Sequence, residues 1–412
     1  MRVCVIGAGL AGLLAATTLA DRGVEPVVVE ARGRVGGRVL SQQLANDVVA
    51  ERGAEFVEAG QSTVTSVAER LGLALAPLGI GSAEREPRGG VSTTLQAMRA
   101  EVARLARLLE ENRDLLTGRS VTQVLAELPL EPAASEAIAG WLQVTWAHPV
   151  RQLAAGVLEG VGAAFSGQQS LRVVGGNQRI ALRLAERLGP ALRLGSPAEA
   201  VEWSPDGVRV RAAGDWVSAD ACVVAVPAAV LGRVSFDPPL PEWKADALGR
   251  VTYGHVAKLV VPLAAPAPPS AVLSVPERFW TWTARGADGR VQPVVSALAG
   301  SAPALERLRV PDGPTRWLER LRALRPDLAL ESGDRGAILA TWSDDPWSGG
   351  AFSTRPVGGR PDDDELLARP VERLHFAGEH TAGPWSGLME GALRSGLRAA
   401  DEVLAGDQRG RP

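Results

Sequence analysis

RVCVIGAGLAG (residues 2–12) runs from a short apolar strand into three glycines, and LLAATTLADR (13–22) and VVVE (27–30) follow it. The reading is strand, tight turn, helix, strand, with Leu13–Arg22 as the helix and Val27–Glu30 as the second strand. Gly23 stops the helix, because it accepts a left-handed conformation that a side chain with a Cβ disfavours. Gly7, Gly9 and Gly12 form the G-x-G-x-x-G pattern, and Glu30 closes the next strand. Each piece suits a dinucleotide. Gly7 makes the turn, Gly9 lets backbone amides approach a pyrophosphate, and Gly12 lets the helix pack closely on the strand. The helix start offers free N–H groups and partial positive charge to the phosphates. The Glu30 carboxylate accepts hydrogen bonds from a ribose and repels a 2′-phosphate. Three glycines alone are weak evidence; strand, helix and acid in register make the pattern specific.

The bulk numbers place this unit in a larger globular chain. At 412 residues it is too long for one ordinary core, and two or three domains are expected. Lys plus Arg total 44 against 47 for Asp plus Glu, so nothing points to nucleic acid. Only Lys244 and Lys258 are lysines, a bias that fits a genome's coding preference better than a physical demand. Cys4 and Cys222 lie in apolar runs and read as buried thiols in strands, which argues for a reducing, cytoplasmic setting without disulfides. Residues 3–20 are apolar enough to mimic a signal segment or a membrane span, but they lack a basic lead and their glycines are already explained. The polar C-terminal GDQRGRP offers no anchor, so no membrane attachment is expected. There is no H-E-x-x-H, CxxC or G-x-S-x-G, and four dispersed histidines suggest no metal site.

Further along, Val39–Leu44 and Asp47–Ala50 read as a hairpin, and Val64, Val67, Ala68 and Leu71 mark a helix face. Residues 92–165 are helical in pattern: Leu95, Met98, Val102, Leu105 and Leu109 recur at helical spacing. Ser120-x-x-Gln123 is a capping box before the next helix. Strand signals return at Val208–Arg211, Trp216–Ser218 and Ala221–Val226. A helix is expected near Gly313–Leu324, and a strand (Arg373–Ala377) and a helix (Leu388–Leu404) close the chain.

EARGRVGGR (30–38) resembles the second signature of the flavin amine oxidases and their wider FAD-binding relatives. The resemblance extends over nearly the whole chain, through ERGAEFVEAG (51–60), LRVVGGNQRIALRLAERLG (171–189), SPAEAVEW (196–203), CVVAVPAAVLGRVSFDPPLP (222–241) and HFAGEHTAGPWSGLMEGALRSG (375–396). It implies FAD as the cofactor, with Arg38 on the pyrophosphate, Arg32 and Gly37 beside the nucleotide, and Ala198 on the strand whose backbone reads the adenine. Gly378 and Glu379 match the part near the ribityl–phosphate region, and Leu388 and Met389 start a helix aimed at the flavin ring. GHVAKLVVP (254–262) is similar to the strand whose lysine holds a water at flavin N5, which makes Lys258 the catalytic candidate. An Arg-rich chain that keeps a lysine there, flanked by Val256, Ala257, Leu259 and Val260, strengthens that reading, since arginine does not replace a compact amine.

Two departures stand out. WSDDPWSGGAFST (342–354) matches the segment where monoamine oxidases tether FAD through a cysteine, and Ala351 stands there, so FAD is expected to bind non-covalently. The aromatic pair that frames the substrate amine in the family corresponds to Phe352 and Leu388, so half of that cage is missing. Trp280, Trp282 and Trp385 are candidates to rebuild an apolar wall. Glu58 is placed to hold a cationic amine.

The expected fold class is α/β: a Rossmann-like FAD-binding domain from 1–80, 170–240 and 365–406, interleaved with a helical plus mixed-sheet substrate domain from 81–169 and 241–364. The expected activity is hydride transfer from the carbon next to an amine nitrogen to flavin N5, with oxygen reoxidising the flavin to give hydrogen peroxide. The substrate is an amine or amino acid, and a homodimer is open to the chain. The rivals are a flavin-dependent desaturase or dehydrogenase that does not use oxygen, and a non-enzymatic FAD scaffold.

Overall fold

The computed structural model describes residues 1–409 apart from 45–47, 59, 82, 166, 287 and 332–335. Its first layer is a parallel five-stranded sheet in the spatial order Leu374–Phe376, Ala221–Val224, Arg2–Ile6, Glu25–Val29, Leu192–Arg193. The strands come from distant parts of the chain. Alternation along the first one decides what covers each face. Val3 and Val5 pack with the helices Leu10–Asp21, Gln178–Leu188 and Met389–Arg409. Cys4 and Ile6 point the other way, into a core shared with the four-stranded sheet that contains Ala198–Ser204 and Gly207–Ala212. Cys4 and Cys222 are register partners on adjacent strands, both buried and both free thiols.

The second unit is a six-stranded mixed sheet, in the order Ile338–Thr341, Val256–Pro262, Val294–Gly300, Phe279–Thr283, Ser270–Ser274, Glu86–Arg88. On one face lie Leu95–Glu111 and Pro132–Thr145, packed over Leu273, Trp280 and Trp282. On the other, Ala257 and Leu259 pack against Trp317 and Leu321 of the Thr315–Leu324 helix. Val256–Pro262 is paired on both edges, so its backbone is fixed, and the pleat turns Lys258 away from Ala257 and Leu259. Together these layers form an α/β fold, a Rossmann-like FAD domain carrying a substrate domain.

Several boundaries differ from the sequence reading. The first helix begins at Leu10, inside the glycine motif, because Gly9 itself is the N-cap. The hairpin is narrower than expected, Ser41–Gln43 on Val49–Glu51, and its expected turn lies outside the described residues. The Ser120 capping box forms with both of its hydrogen bonds. Among the described residues no helix is long and apolar enough to cross a membrane, and the apolar stretch 3–20 becomes a core strand and a core helix.

Lys244, fully buried on the Glu242–Arg250 helix, donates to the carbonyls of Leu366, Leu367 and Arg369 at 2.7–2.8 Å. Those carbonyls belong to the end of the Asp363–Ala368 helix, where backbone acceptors lack intrahelical partners. The ammonium also lies 3.8 Å from the Phe376 ring centre. Lys244→Met strips all three acceptors of their donor, and we expect a loss of about 1–3 kcal/mol. A urea unfolding curve with an unchanged midpoint would rule this out.

Candidate active site

A cavity of about 510 Å³ runs between the two units. One end is lined by Gly7, Gly9 and Glu30, the middle by Arg38 and Glu379, and the other end by Lys258, Trp280 and Phe352.

At the glycine end, the geometry is built for close approach. Gly7 has φ +104°, and a Cβ on Gly12 would stand 2.0 Å from the Gly7 carbonyl oxygen, so only hydrogen lets the helix sit on the turn. A Cβ on Gly9 would meet nothing within 4 Å; the space beside it belongs to the cavity. No side chain caps the helix at Gly9, so its first N–H groups remain available to a ligand. Glu30 is buried and accepts from the amides of Ala8 (2.7 Å) and Arg32 (2.9 Å), which orient its carboxylate. Ala198 lines the same end at the start of its strand. Uncapped N–H groups, an oriented acid and an open glycine wall fit the phosphates and ribose of an adenine dinucleotide.

Arg32 and Arg38 are both already engaged by protein. Arg32 reaches Asp345 (2.5 Å) and Ser348 (2.9 Å), tying the nucleotide end to the 342–350 loop. Arg38 donates to Glu379 (2.8 Å) and to the Ala351 carbonyl (3.0 Å). Glu379 also accepts from Ser353 Oγ (2.5 Å) and the Gly387 amide (2.7 Å). Burial pushes the Glu379 carboxyl up, but Arg38, His380 and the hydrogen bonds outweigh it and hold it below the usual range. Gly37 and Gly378 line this section at φ +57° and +128°. Leu388, with 39% of its surface exposed, and buried Met389 start the last helix on the cavity wall.

At the far end, Lys258 donates to Glu55 Oε2 at 2.6 Å and to the Gly53 carbonyl at 3.1 Å. The other Glu55 oxygen accepts from Trp282 Nε1 (3.3 Å) and Arg172 (3.5 Å), and Gln292 accepts from Arg172 (3.1 Å). Burial raises the Glu55 carboxyl, yet the Lys258 and Arg172 charges prevail and lower it. Asn177 fastens the segment, donating its side-chain amide to the Glu55 carbonyl and its backbone N–H to Glu51, both at 2.7 Å. For Glu51 burial, with Glu55 nearby, prevails over the Asn177 and Ser41 hydrogen bonds and the Arg172 charge and pushes its carboxyl up to about 7.

The remaining wall is apolar: Phe56, Val144, Trp146, Trp280, Leu298 and Phe352. Behind it stands Arg85, only 1% exposed, whose nitrogens find no hydrogen-bond partner among the described residues. Ring faces take their place, with Trp280, Trp282 and Phe56 centred 4.4, 5.4 and 5.6 Å from the guanidinium. Burial pulls Arg85 down, and Glu58 and Glu55 oppose that. Glu58 lines the cavity and is held by Ser170 Oγ at 2.8 Å.

The structure thus gathers Glu58, Phe352 and Lys258 on one cavity with the nucleotide residues. It places Trp282 behind the wall, donating to Glu55, and Trp385 off the wall, under the Arg394 guanidinium at 4.6 Å. Glu55, Arg172 and Arg85 were not singled out from sequence. Glu55 and Arg172 do lie inside the family-like segments 51–60 and 171–189.

A sequence profile of the flavin containing amine oxidoreductases matches residues 10–404. AofH of Mycobacterium tuberculosis is 29% identical, covering 98% of this chain and 96% of its own. Human flavin-containing amine oxidase B is 26% identical over 98% of this chain and 86% of its own. Among solved structures, putrescine oxidase bound to putrescine superposes with a TM-score of 0.81 at 24% identity, covering 98% of this chain and 99% of that one. Cyclohexylamine oxidase from Brevibacterium oxydans gives 0.83 at 20% identity, covering 100% and 99%. These two likenesses carry the fold, and the profile match carries the family: the chain belongs to the flavin-containing amine oxidoreductases.

Proposed function

We propose that this chain binds FAD along the cavity without a covalent link and oxidises an amine held against the Phe56–Trp280–Phe352 wall. The observation that carries this is the continuity of the cavity from the uncapped helix and Glu30 to Lys258. Both cysteines lie elsewhere, in the sheet core, and Ala351 stands on the cavity lining. Their burial as free thiols supports a reducing, cytoplasmic setting. When bound, the flavin supplies a two-electron acceptor that takes a hydride from the carbon next to the amine nitrogen and passes both electrons to oxygen, giving an imine and hydrogen peroxide.

The chain's own residues position and shield. The uncapped helix start and Glu30 seat the nucleotide, and Arg38 with Glu379 fixes the middle of the cavity. The start of the last helix brings partial positive charge to the ring end, where electron density collects on reduction. Aromatic and aliphatic side chains exclude water around the reacting carbon. Lys258 offers an N–H donor on the cavity wall that can hold a water beside the ring. Glu58, kept in place by a neutral hydroxyl, faces the cavity as a counter-charge for an ammonium carried on the substrate. The family match and this wall favour amine oxidation over the desaturase and scaffold readings.

Four measurements test this. Acid or heat denaturation should release all the flavin into the supernatant; yellow precipitate would reveal a covalent bond. Glu30→Ala and Arg38→Ala should each weaken FAD binding by roughly 1–3 kcal/mol, seen as loss of flavin on dilution. Glu58→Gln should raise KM for a diamine by about tenfold, one charged hydrogen bond, and leave an uncharged-tail arylalkylamine little changed. Equal effects on both substrates would remove Glu58 from recognition. Lys258→Met should keep fold and flavin but slow reoxidation by oxygen at least about tenfold in stopped flow, with anaerobic reduction less affected.

A further inference from the structure

We infer that Glu55 is the positioning residue for Lys258: it fixes the amine in one place with one N–H left for the cavity, so Lys258 serves as a stationary water anchor. The inference deepens the proposed function, since it rests on Lys258 acting at the ring end of the cavity.

Donor accounting leads to it. An ammonium has three N–H donors and no acceptor. Glu55 Oε2 and the Gly53 carbonyl take two of them, at 2.6 and 3.1 Å. Lys258 and Glu55 are 3% and 5% exposed, and Lys258, Glu55 and Gly53 all line the cavity. The carboxylate cannot swing away, because Trp282 and Arg172 hold its other oxygen and Asn177 holds its backbone. Lys258 is equally constrained, on a strand paired along both edges. Two immobile partners define one direction for the remaining donor.

The chain has only two lysines, which makes a direct test practical. FAD-loaded protein carrying side-chain 15N-lysine gives two amine signals, and Lys258→Met assigns them. At one fixed pH, Glu55→Gln should shift or broaden the Lys258 signal and leave that of Lys244 in place. Stopped flow on the same variant should show reoxidation by oxygen slowed about tenfold, as in Lys258→Met. Adding Glu55→Gln to Lys258→Met should then cost less than about twofold more, because coupled residues are not additive. An unchanged Lys258 signal, or a fresh tenfold loss in the Lys258→Met background, would overturn the inference. Flavin content and melting temperature check that the variants fold. Should Glu55→Gln fail to fold, Glu55→Asp, which keeps the charge but shortens the reach, should still shift the Lys258 signal. The lysine spectrum needs no turnover, so a chain that oxidised no amine would still report on the pair.

Discussion

A part-buried contact between Arg38 and Glu379, 341 residues apart, closes this fold around its cavity. Arg38 follows the first two strands of the parallel sheet, Glu379 follows the strand at one edge, and the loop carrying Ala351 and Ser353 is clamped to both. Glu379 further takes the Gly387 amide, so the turn before the last helix is set by the same carboxylate. Removing Arg38 would leave the Glu379 carboxylate, itself 5% exposed, without its cationic partner. Cavity-lining residues such as Phe352, Leu388 and Met389 inherit their places from this one junction.

The nucleotide half of the site was legible in the sequence because its signals are local. Three glycines, a strand and an acid occupy the first thirty residues, and their spacing alone fixes the geometry. The Ser120 cap was legible for the same reason: donor and acceptor lie three residues apart. Glu55 was not, since its partner is 203 residues away along the chain. Trp282 shows a finer limit. It shares a strand face with Trp280, yet two residues along a strand are roughly 7 Å apart, enough to move a ring from the wall to the layer behind it. Arg85 gave no sequence signal at all, because what marks it is the absence of a hydrogen-bond partner among the described residues.

Charge around the reaction end is balanced by layers. Lys258 faces Glu55 directly, Arg172 backs the same carboxylate, and Arg85 lies behind the aromatic wall near Glu58. The rings of Trp280 and Trp282 therefore have a cation on one side and contribute their flat faces to it. Such contacts stiffen an aromatic wall without placing a formal charge on the cavity surface. A rigid, low-dielectric lining is what allows a few oriented groups to act strongly on a reacting carbon.

Burial of both lysines has a chemical consequence for an enzyme of this class. An imine released into water hydrolyses to a carbonyl compound, and aldehydes condense readily with primary amines. With Lys244 fully buried and Lys258 3% exposed on the cavity wall, the outer surface of the folded chain presents no lysine amine to product released into solvent. Arginine guanidinium groups carry nearly all the surface's positive charge and stay protonated, so they are poor partners for that condensation. The same surface will be nearly silent to amine-directed labels and cross-linkers while the protein is folded, and will gain two reactive sites when it unfolds.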